Sequence, residues 1–369
     1  MGMNRMTAAW RVSVDLFEAS PIIPEAPEHL HIFGNAYALS LVESRVRVHI
    51  AGVPTSFVNG IRRAATDEIL GYALKVPEDG VRTDLTTDPY MLPQFVNQRI
   101  ELLPLNQVAA AKAAATGRRF ELNARNATAT TLVVYANELR EIGPAGGELL
   151  FNKTFELAEL QPGKCLVIEN IAIAAGRGRE HAMFQVATCG AYTHLDIAQY
   201  SDDEMRLESG AAADLSGYKE SCLVSNPRSH ELRFVLQATV AESAKAAATS
   251  VLVAAAENIR ARLRSVAQAV EGGAAADGPV QYALNALDSG LSEGIVRAPG
   301  ETHTVGELLR RAIFDSAPDL AYADYSISEH ENMLTLRLHV SGDPSVVILE
   351  AIKMATAALD EFAQAVTSL

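Results

Sequence analysis

The chain is poor in the residues that staple or anchor proteins. Its three cysteines, Cys165, Cys189 and Cys222, lie 24 and 33 residues apart in a chain of 369. That spacing fits neither a disulfide framework nor a Cys-x-x-Cys zinc knuckle, so they read as reduced, partly buried thiols. Aromatic residues make up only 6%, and the 49% apolar share leans on alanine, as in 109–115 and 244–248. Alanine favours helix but buries little area, so the core must come from fewer Leu, Ile, Val and Phe positions. No apolar run is long enough for a bilayer: the longest, around Ala246 to Ala256, stops at Glu257. The start, Met1-Gly2-Met3-Asn4-Arg5-Met6, shows neither a secretory apolar run nor the Ser or Thr of a myristoylation site. The expectation is an intracellular protein with no membrane association, in which the sequons at Asn126 and Asn152 are silent. Positive charge is also scarce, 31 Lys and Arg against 45 Asp and Glu for a net −14. A protein that grips phosphates needs the opposite balance, so any association with DNA should be indirect.

What is present is length and an internal likeness. A chain of 369 residues exceeds one ordinary core and implies two domains, or one with a large insertion. Two segments read alike: Ser56-Phe57-Val58-Asn59-Gly60-Ile61-Arg62-Arg63-Ala64 and Thr304-Val305-Gly306-Glu307-Leu308-Leu309-Arg310-Arg311-Ala312. Each opens on an N-capping residue, Ser56 or Thr304, and spaces its apolar side chains three to four apart: Phe57, Ile61, Ala65, Ile69 in one and Val305, Leu309, Ala312 in the other. Each is therefore expected to be an amphipathic helix, with twin arginines at the same point. A strand-like alternation follows each helix, Leu232 to Val240 and Leu334 to Val340, and another precedes each, Val46-Val48-Ile50 and Val280-Tyr282-Leu284. Long helical stripes close both copies. Leu252, Ile259, Leu263, Val266 and Val270 form one, and Ile348, Ile352, Ala355, Leu359, Phe362 and Val366 the other.

Each copy thus reads strand, helix, strand, helix. Arg63 and Leu232 are 169 residues apart but Arg311 and Leu334 only 23, so the first copy carries about 146 more. That excess reads as a β-rich insert, with strand-like runs at Thr131 to Ala136 and Cys165 to Ile171. The expected organisation is an arm over 1–38, a discontinuous first half over 39–80 and 228–271, an insert over 81–227, a linker over 272–278 and a second half over 279–369. The fold class is α+β, with two pseudo-symmetric halves packed through their helical seams like a dimer made from one chain.

Candidate chemistry is sparse. Gly176-Arg177-Gly178-Arg179, before Glu180-His181, could cradle a phosphate, but without a Walker lysine it reads as a basic turn. Tyr200-Ser201-Asp202-Asp203 matches a Tyr-x-Asp-Asp magnesium box over four residues only and reads as a solvated acidic loop. His29, His31, His181 and His194 lack partners at metal spacing. The twin arginines divide evenly between solvated helix faces and a protein interface, where Arg is enriched.

The segment Phe57-Val58-Asn59-Gly60-Ile61-Arg62-Arg63 resembles the Asn-x-Leu-Arg-Arg helix of alpha-type subunits of multisubunit RNA polymerases. Leu92-Pro93-Gln94-Phe95-Val96-Asn97-Gln98-Arg99-Ile100-Glu101-Leu102-Leu103-Pro104-Leu105 resembles that family's Leu-Pro-x-Glu-Phe-x-x-x-Arg-x-Gly-Leu-x-Pro-Leu segment. Leu160-Gln161-Pro162-Gly163 and Gly176 to Phe184 resemble its Leu-x-Pro-Gly-Gln and Lys-Gly-x-Gly-Lys-Glu-His-Ala-Lys-Trp. Glu301-Thr302-His303-Thr304-Val305-Gly306-Glu307-Leu308-Leu309-Arg310 and Tyr322 to Ile327 resemble the smaller, eleventh-subunit partner. The chain thus looks like a fusion of third- and eleventh-subunit types, an arrangement known in large DNA viruses. It departs from the pattern in lacking the third subunit's cysteine-rich zinc loop, in Glu101 standing where glycine is usual, and in Ile69-Leu70-Gly71 replacing Val-Pro.

The resemblance implies a non-catalytic platform that binds the largest and second-largest polymerase subunits and small subunits of the tenth and twelfth type. It would have no catalytic residue, metal or cofactor of its own, magnesium being expected only in the large catalytic subunit. Arg62, Arg63, Arg310, Arg311, Asn59 and Arg99 are the implied partner contacts, and Arg177, Arg179 and His181 form the insert's basic turn. Leu252, Ile259, Leu263, Val266, Ile352, Leu359, Phe362 and Val366 would form the internal seam. The implied site of action is viral transcription, in host cytoplasm, nucleus or virion. The competing readings are a stand-alone structural protein with a duplicated fold and, more distantly, an enzyme built on the Tyr-Ser-Asp-Asp box.

Overall fold

The computed structural model describes residues 10–22, 41–78, 81–82, 93–142, 148, 150–195, 227–240, 243–273, 278–287, 290–328 and 330–369. The described architecture is α+β, antiparallel sheets with six α-helices. The Tyr-Ser-Asp-Asp box, Cys222, His29 and His31 lie outside the described residues.

One four-stranded sheet has the order β1 (Ser13–Ile22), β2 (Val42–Ala51), β11 (Ser229–Thr239), β10 (Ala187–His194). Its register sets Val48 against Leu232 and Val46 against Phe234, so period-two alternation puts these apolar side chains on the covered face. A bulge follows Leu236, where Ala238 takes a φ of 51°, and Val240 beyond it is exposed. A second four-stranded sheet has the order β12 (Gln281–Ala286), β13 (Ser292–Pro299), β15 (Met333–Val340), β14 (Leu320–Ser328). It buries Leu334, Leu336, Leu338 and Val340. One apolar cluster takes in both sheets and the helices α1 (Thr55–Arg63), α4 (Ala244–Gly272), α5 (His303–Ser316) and α6 (Pro344–Ser368). Leu252, Ile259, Leu263, Val266, Ile352, Leu359, Phe362 and Val366 are all buried within it.

A separate cluster runs from Leu74 to Ile171. It is built on the sheet β3 (Leu70–Lys75), β9 (Cys165–Arg177), β5 (Arg119–Arg125), β7 (Leu139–Ile142), with β4 (Val81–Arg82) also pairing β9. The ribbon β6 (Leu132–Tyr135) with β8 (Glu156–Leu160) and the helices α2 (Pro93–Glu101) and α3 (Gln107–Ala115) complete it.

Several local expectations are corrected. The cap of α1 is Pro54 and not Ser56, and the cap of α5 is Thr302, whose hydroxyl accepts from the Thr304 amide. The apolar stripe from Phe57 to Ile69 is not one helix: α1 ends at Arg63, a π-helical turn covers Ala64–Glu68, and Ile69 is extended. Strand β12 is an edge strand with Leu284 exposed, and the strand that leads into α5 is β13, whose one-sided pattern is hidden by Gly294 and Ala298. Residues 13–22, placed in an arm, pair along β2, and β10, placed in the insert span, pairs with β11. Strand β3, placed in the first half, pairs with β9. Pairing partners far away in sequence decide these assignments, and no local pattern carries them. Cys189 is exposed rather than partly buried, at a bulge in β10 where its φ is 53°.

Candidate partner interface

The twin arginines of α1 diverge. Arg62 donates through Nε to Asn59 Oδ1 at 3.0 Å and through a terminal nitrogen to the Gly190 carbonyl at 3.4 Å, which ties α1 to β10. Arg63 points the other way and donates to Thr304 Oγ1 of α5 at 3.1 Å. The pair on α5 also splits. Arg310 chelates Glu307 at 2.8 and 2.7 Å and lies over the Phe314 ring, whereas Arg311 pairs with Asp315 at 3.0 Å. Asp315 also accepts from the Trp10 indole and from Arg228, both at 2.9 Å. Consecutive helical residues point about 100° apart, so a doublet on one helix serves two faces.

The π-helical turn after α1 is the docking point for the basic turn. Arg179 donates its amide to the Asp67 carbonyl at 2.9 Å, and Gln185 reaches Asp67 Oδ1 at 3.3 Å. A Cβ on Gly178 would stand 2.6 Å from the Thr66 carbonyl oxygen, so only glycine lets the turn come this close. Glu180 accepts from the Arg177 amide at 3.1 Å, and His181 Nδ1 accepts from the Met183 amide at 3.2 Å, which closes the turn. Arg179 and His181 are exposed and Arg177 is half-buried. Arg62, Arg177, Arg179 and His181 thus belong to one neighbourhood, drawn from segments more than a hundred residues apart. Arg99 stands apart on α2, bonded to the Leu157 carbonyl at 3.4 Å with Glu156 at 3.9 Å.

On the α5 side, His303 and the Tyr325 hydroxyl meet at 3.1 Å. Burial, reinforced by Glu307, pushes the Tyr325 phenol up, so the hydroxyl is neutral at physiological pH. His303, Glu307 and Arg310 follow one another at i, i+4 and i+7 along one face of the helix.

Sequence reasoning missed a buried polar group that joins α1, α4 and α5. Glu68, 4% exposed at the end of the π-helical turn, pairs with Arg262 of α4 and accepts from Thr302 at 3.1 Å and Thr304 at 3.2 Å. Arg262 also donates to Glu301 at 2.7 Å and to Thr302 Oγ1 at 3.0 Å. Glu301, Thr302 and Thr304 carry the eleventh-subunit resemblance, but nothing in their order names Glu68 as their partner. The only sequence signal was an acid and a base set among apolar stripe positions.

Among the described residues, no group of three or more His, Cys, Asp or Glu side chains could hold a metal ion, and no helix is long and apolar enough to cross a membrane. An apolar cleft of about 320 Å³ lies between α3 and the β11–α4 junction, lined by Val108, Val186, Leu236, Val240 and Val251 with Glu148 as its one titratable group. It offers contact surface rather than acid–base chemistry.

Two arginine-bearing helices, α1 and α5, thus share one apolar core, with a basic turn docked beside α1. The chain is 31% identical over 338 residues to the DNA-directed RNA polymerase RPB3-11 homolog of African swine fever virus, strain Badajoz 1971 Vero-adapted, covering 90% of this chain and 89% of that protein. The homologs of the Pretoriuskop tick isolate and the Namibian warthog isolate match at the same identity and coverage. No family model matches. The chain belongs to this RPB3-11 family of fused viral RNA polymerase subunits.

Proposed function

We propose that the chain is the non-catalytic assembly platform of a viral DNA-directed RNA polymerase, built from two pseudo-symmetric halves. The first half joins β1, β2, α1, β10, β11 and α4, and the second joins β12, β13, α5, β14, β15 and α6. The residues between β3 and about position 185 form an insert with its own core. The observation that carries this reading is the family match along nine-tenths of the chain. The likeness of the two sheets supports it, since the order β1-β2-β11-β10 repeats as β12-β13-β15-β14.

On this reading α4 and α6 are the seam of an internal heterodimer. The neighbourhood of Asn59, Arg62, Arg177, Arg179 and His181 recruits one of the two large subunits. The α5 face with Arg310 and Arg311 is its pseudo-symmetric counterpart, and Arg99 extends the contact over the insert. Small subunits of the tenth and twelfth type complete the assembly, association with DNA runs through the large subunits, and magnesium chemistry belongs to the largest. The chain carries no cofactor and works wherever the virus transcribes, in the host cell or the virion.

Reversing both charges, Arg62→Glu with Arg63→Glu, is expected to release the large subunits from the tagged chain during purification from cells expressing the polymerase. Undiminished co-purification of the two large subunits would overturn the assignment.

A further inference from the structure

The two ends of the crossing between α1 and α5 are built differently, one around a carboxylate that crosses between the halves and the other around rings beside Asp315, which Trp10, Arg228 and Arg311 bond. At one end lie Glu68, Arg262, Glu301, Thr302 and Thr304, a hydrogen-bonded ionic group that draws Glu68 and Arg262 from the first half and the other three from the second. At the other end lie three rings: Phe57 meets Trp10 edge-on at 6.2 Å between centroids and Phe362 edge-on at 6.0 Å. Phe57 and Trp10 come from the first half, and Phe362 from the second.

These ends occupy matching places. Buried positions along α4, Ala244, Ala248, Val251, Leu252, Ala255, Ile259 and Val266, correspond one for one with Pro344, Ile348, Ala351, Ile352, Ala355, Leu359 and Val366 of α6. That alignment sets Arg262 against Phe362. Superposing Arg62-Arg63 on Arg310-Arg311 sets Pro54 against Thr302, Ser56 against Thr304, Val53 against Glu301 and Glu68 against Ser316. Ser56, in the place of Thr304, buries its hydroxyl without a hydrogen-bond partner.

We infer that this asymmetry is a selectivity lock that admits only a first half pairing with a second half. It rests on the two-half reading given above. If two first halves paired, Glu68 and Arg262 would keep each other and Ser56 would offer a hydroxyl in the place of Thr304, but Thr302 would be replaced by Pro54 and Glu301 by Val53, so Arg262 would keep one of its three partners. If two second halves paired, Glu301 would be pressed against Phe362 with no cation. Guanidinium donors left unmatched on Arg262, and a Glu301 carboxylate left without its cation, both count against self-pairing, whereas the apolar seams are interchangeable. The seam residues, mostly Leu, Ile, Val and Ala, are alike in both halves and cannot discriminate by themselves.

In the intact chain the tether masks the lock, because joined halves meet at an effective concentration of the order of millimolar. The test therefore uses the complete chain, cut once in its folded state at a protease site placed in 274–277, then unfolded in urea, refolded and weighed by native mass spectrometry. The unsubstituted chain is expected to return only the one-to-one pair of its two pieces. The variant Glu68→Ser with Arg262→Phe, which gives the first half the second half's residues at this end, is expected to raise self-paired first pieces about tenfold or more. Equally exclusive one-to-one pairing by the variant would overturn the lock. Failure of the unsubstituted pieces to pair at all would overturn the two-half reading itself, and the lock with it. A second measurement needs no refolding: in the uncut chain Glu68→Gln is expected to lower the urea midpoint of the cluster that buries Trp10, and an unchanged midpoint would count against the lock.

Discussion

Glu231 shows how a single carboxylate organises a sheet face. It lies on β11 among cross-strand neighbours Arg47 and His49 of β2, and Arg47 Nη2 and His49 Nε2 approach it at 2.9 and 2.7 Å, with Arg233 also bonded to it. Burial pushes its carboxyl up, but the hydrogen bonds from Arg47, His49 and Arg233 outweigh that and hold it down at about 2 against an ordinary 4.5. A carboxyl depressed by folding stabilises the native state fully above its unfolded value and loses that contribution as pH falls through its folded one. Glu231→Gln is therefore expected to cost about 1 to 3 kcal/mol at pH 7 in urea titrations. The gap from wild type should narrow below pH 4.5 and close near pH 2; a gap constant with pH would refute this account. Other residues make sense only in three dimensions. Glu101 accepts from the Val76 amide at 3.2 Å and pairs with Lys75 at 3.0 Å, so it fastens α2 to the end of β3. Asn126 is fully buried and serves its own loop, donating to the carbonyls of Thr130 and Leu160 while accepting from Thr128. Asn152 repeats the accepting half of that arrangement with Thr154, so both sequons are loop-closing turns.

Elements follow local pattern where one face is buried and fail to follow it where neighbours decide. The helices α4 and α6 and the strands β2, β11 and β15 were legible because a period of 3.6 or 2 repeats over many residues, and burial follows that period. The π-helical turn was not legible, since it interrupts an apolar stripe that reads as continuous. It widens the helix for one turn and turns Thr66 and Asp67 toward the basic turn. The close approach there gives a direct test. Gly178→Ala would bring a methyl group against the Thr66 carbonyl and the Asp67 backbone. The expected cost is about 1 to 3 kcal/mol, read as a lowered urea midpoint, with hydrogen exchange faster at the Arg179 amide. A midpoint equal to that of wild type would show that the turn is not seated as described. On the polymerase reading the same substitution should also weaken capture of a large subunit, because Arg177 and Arg179 would move relative to Arg62.

At the scale of the molecule, one tryptophan reports on the junction of distant segments. Trp10 is 3% exposed, packs on Phe57 of α1 and donates to Asp315 of α5. Trp10→Phe is expected to keep most of the packing and lose the hydrogen bond, costing about 1 kcal/mol, whereas Trp10→Ala should cost about 3 to 5 kcal/mol. Equal losses in urea titrations followed by circular dichroism would show that the ring does not pack as described. Being the only tryptophan, it also allows a fluorescence test: emission should be blue-shifted in the native state and move to the red together with the loss of helical signal. Sequence by itself determined the α+β class, the acidic balance and the family, because periodicity and local motifs survive without knowledge of neighbours. Tertiary structure alone decided that β1 and β10 complete the first sheet, that the twin arginines serve different faces, and that Glu68 and Arg262 meet Glu301, Thr302 and Thr304. The reason is physical: strand pairing and buried ion pairs take their energy from partners that lie from tens to hundreds of residues away, and a partner at that distance leaves no mark on the local pattern.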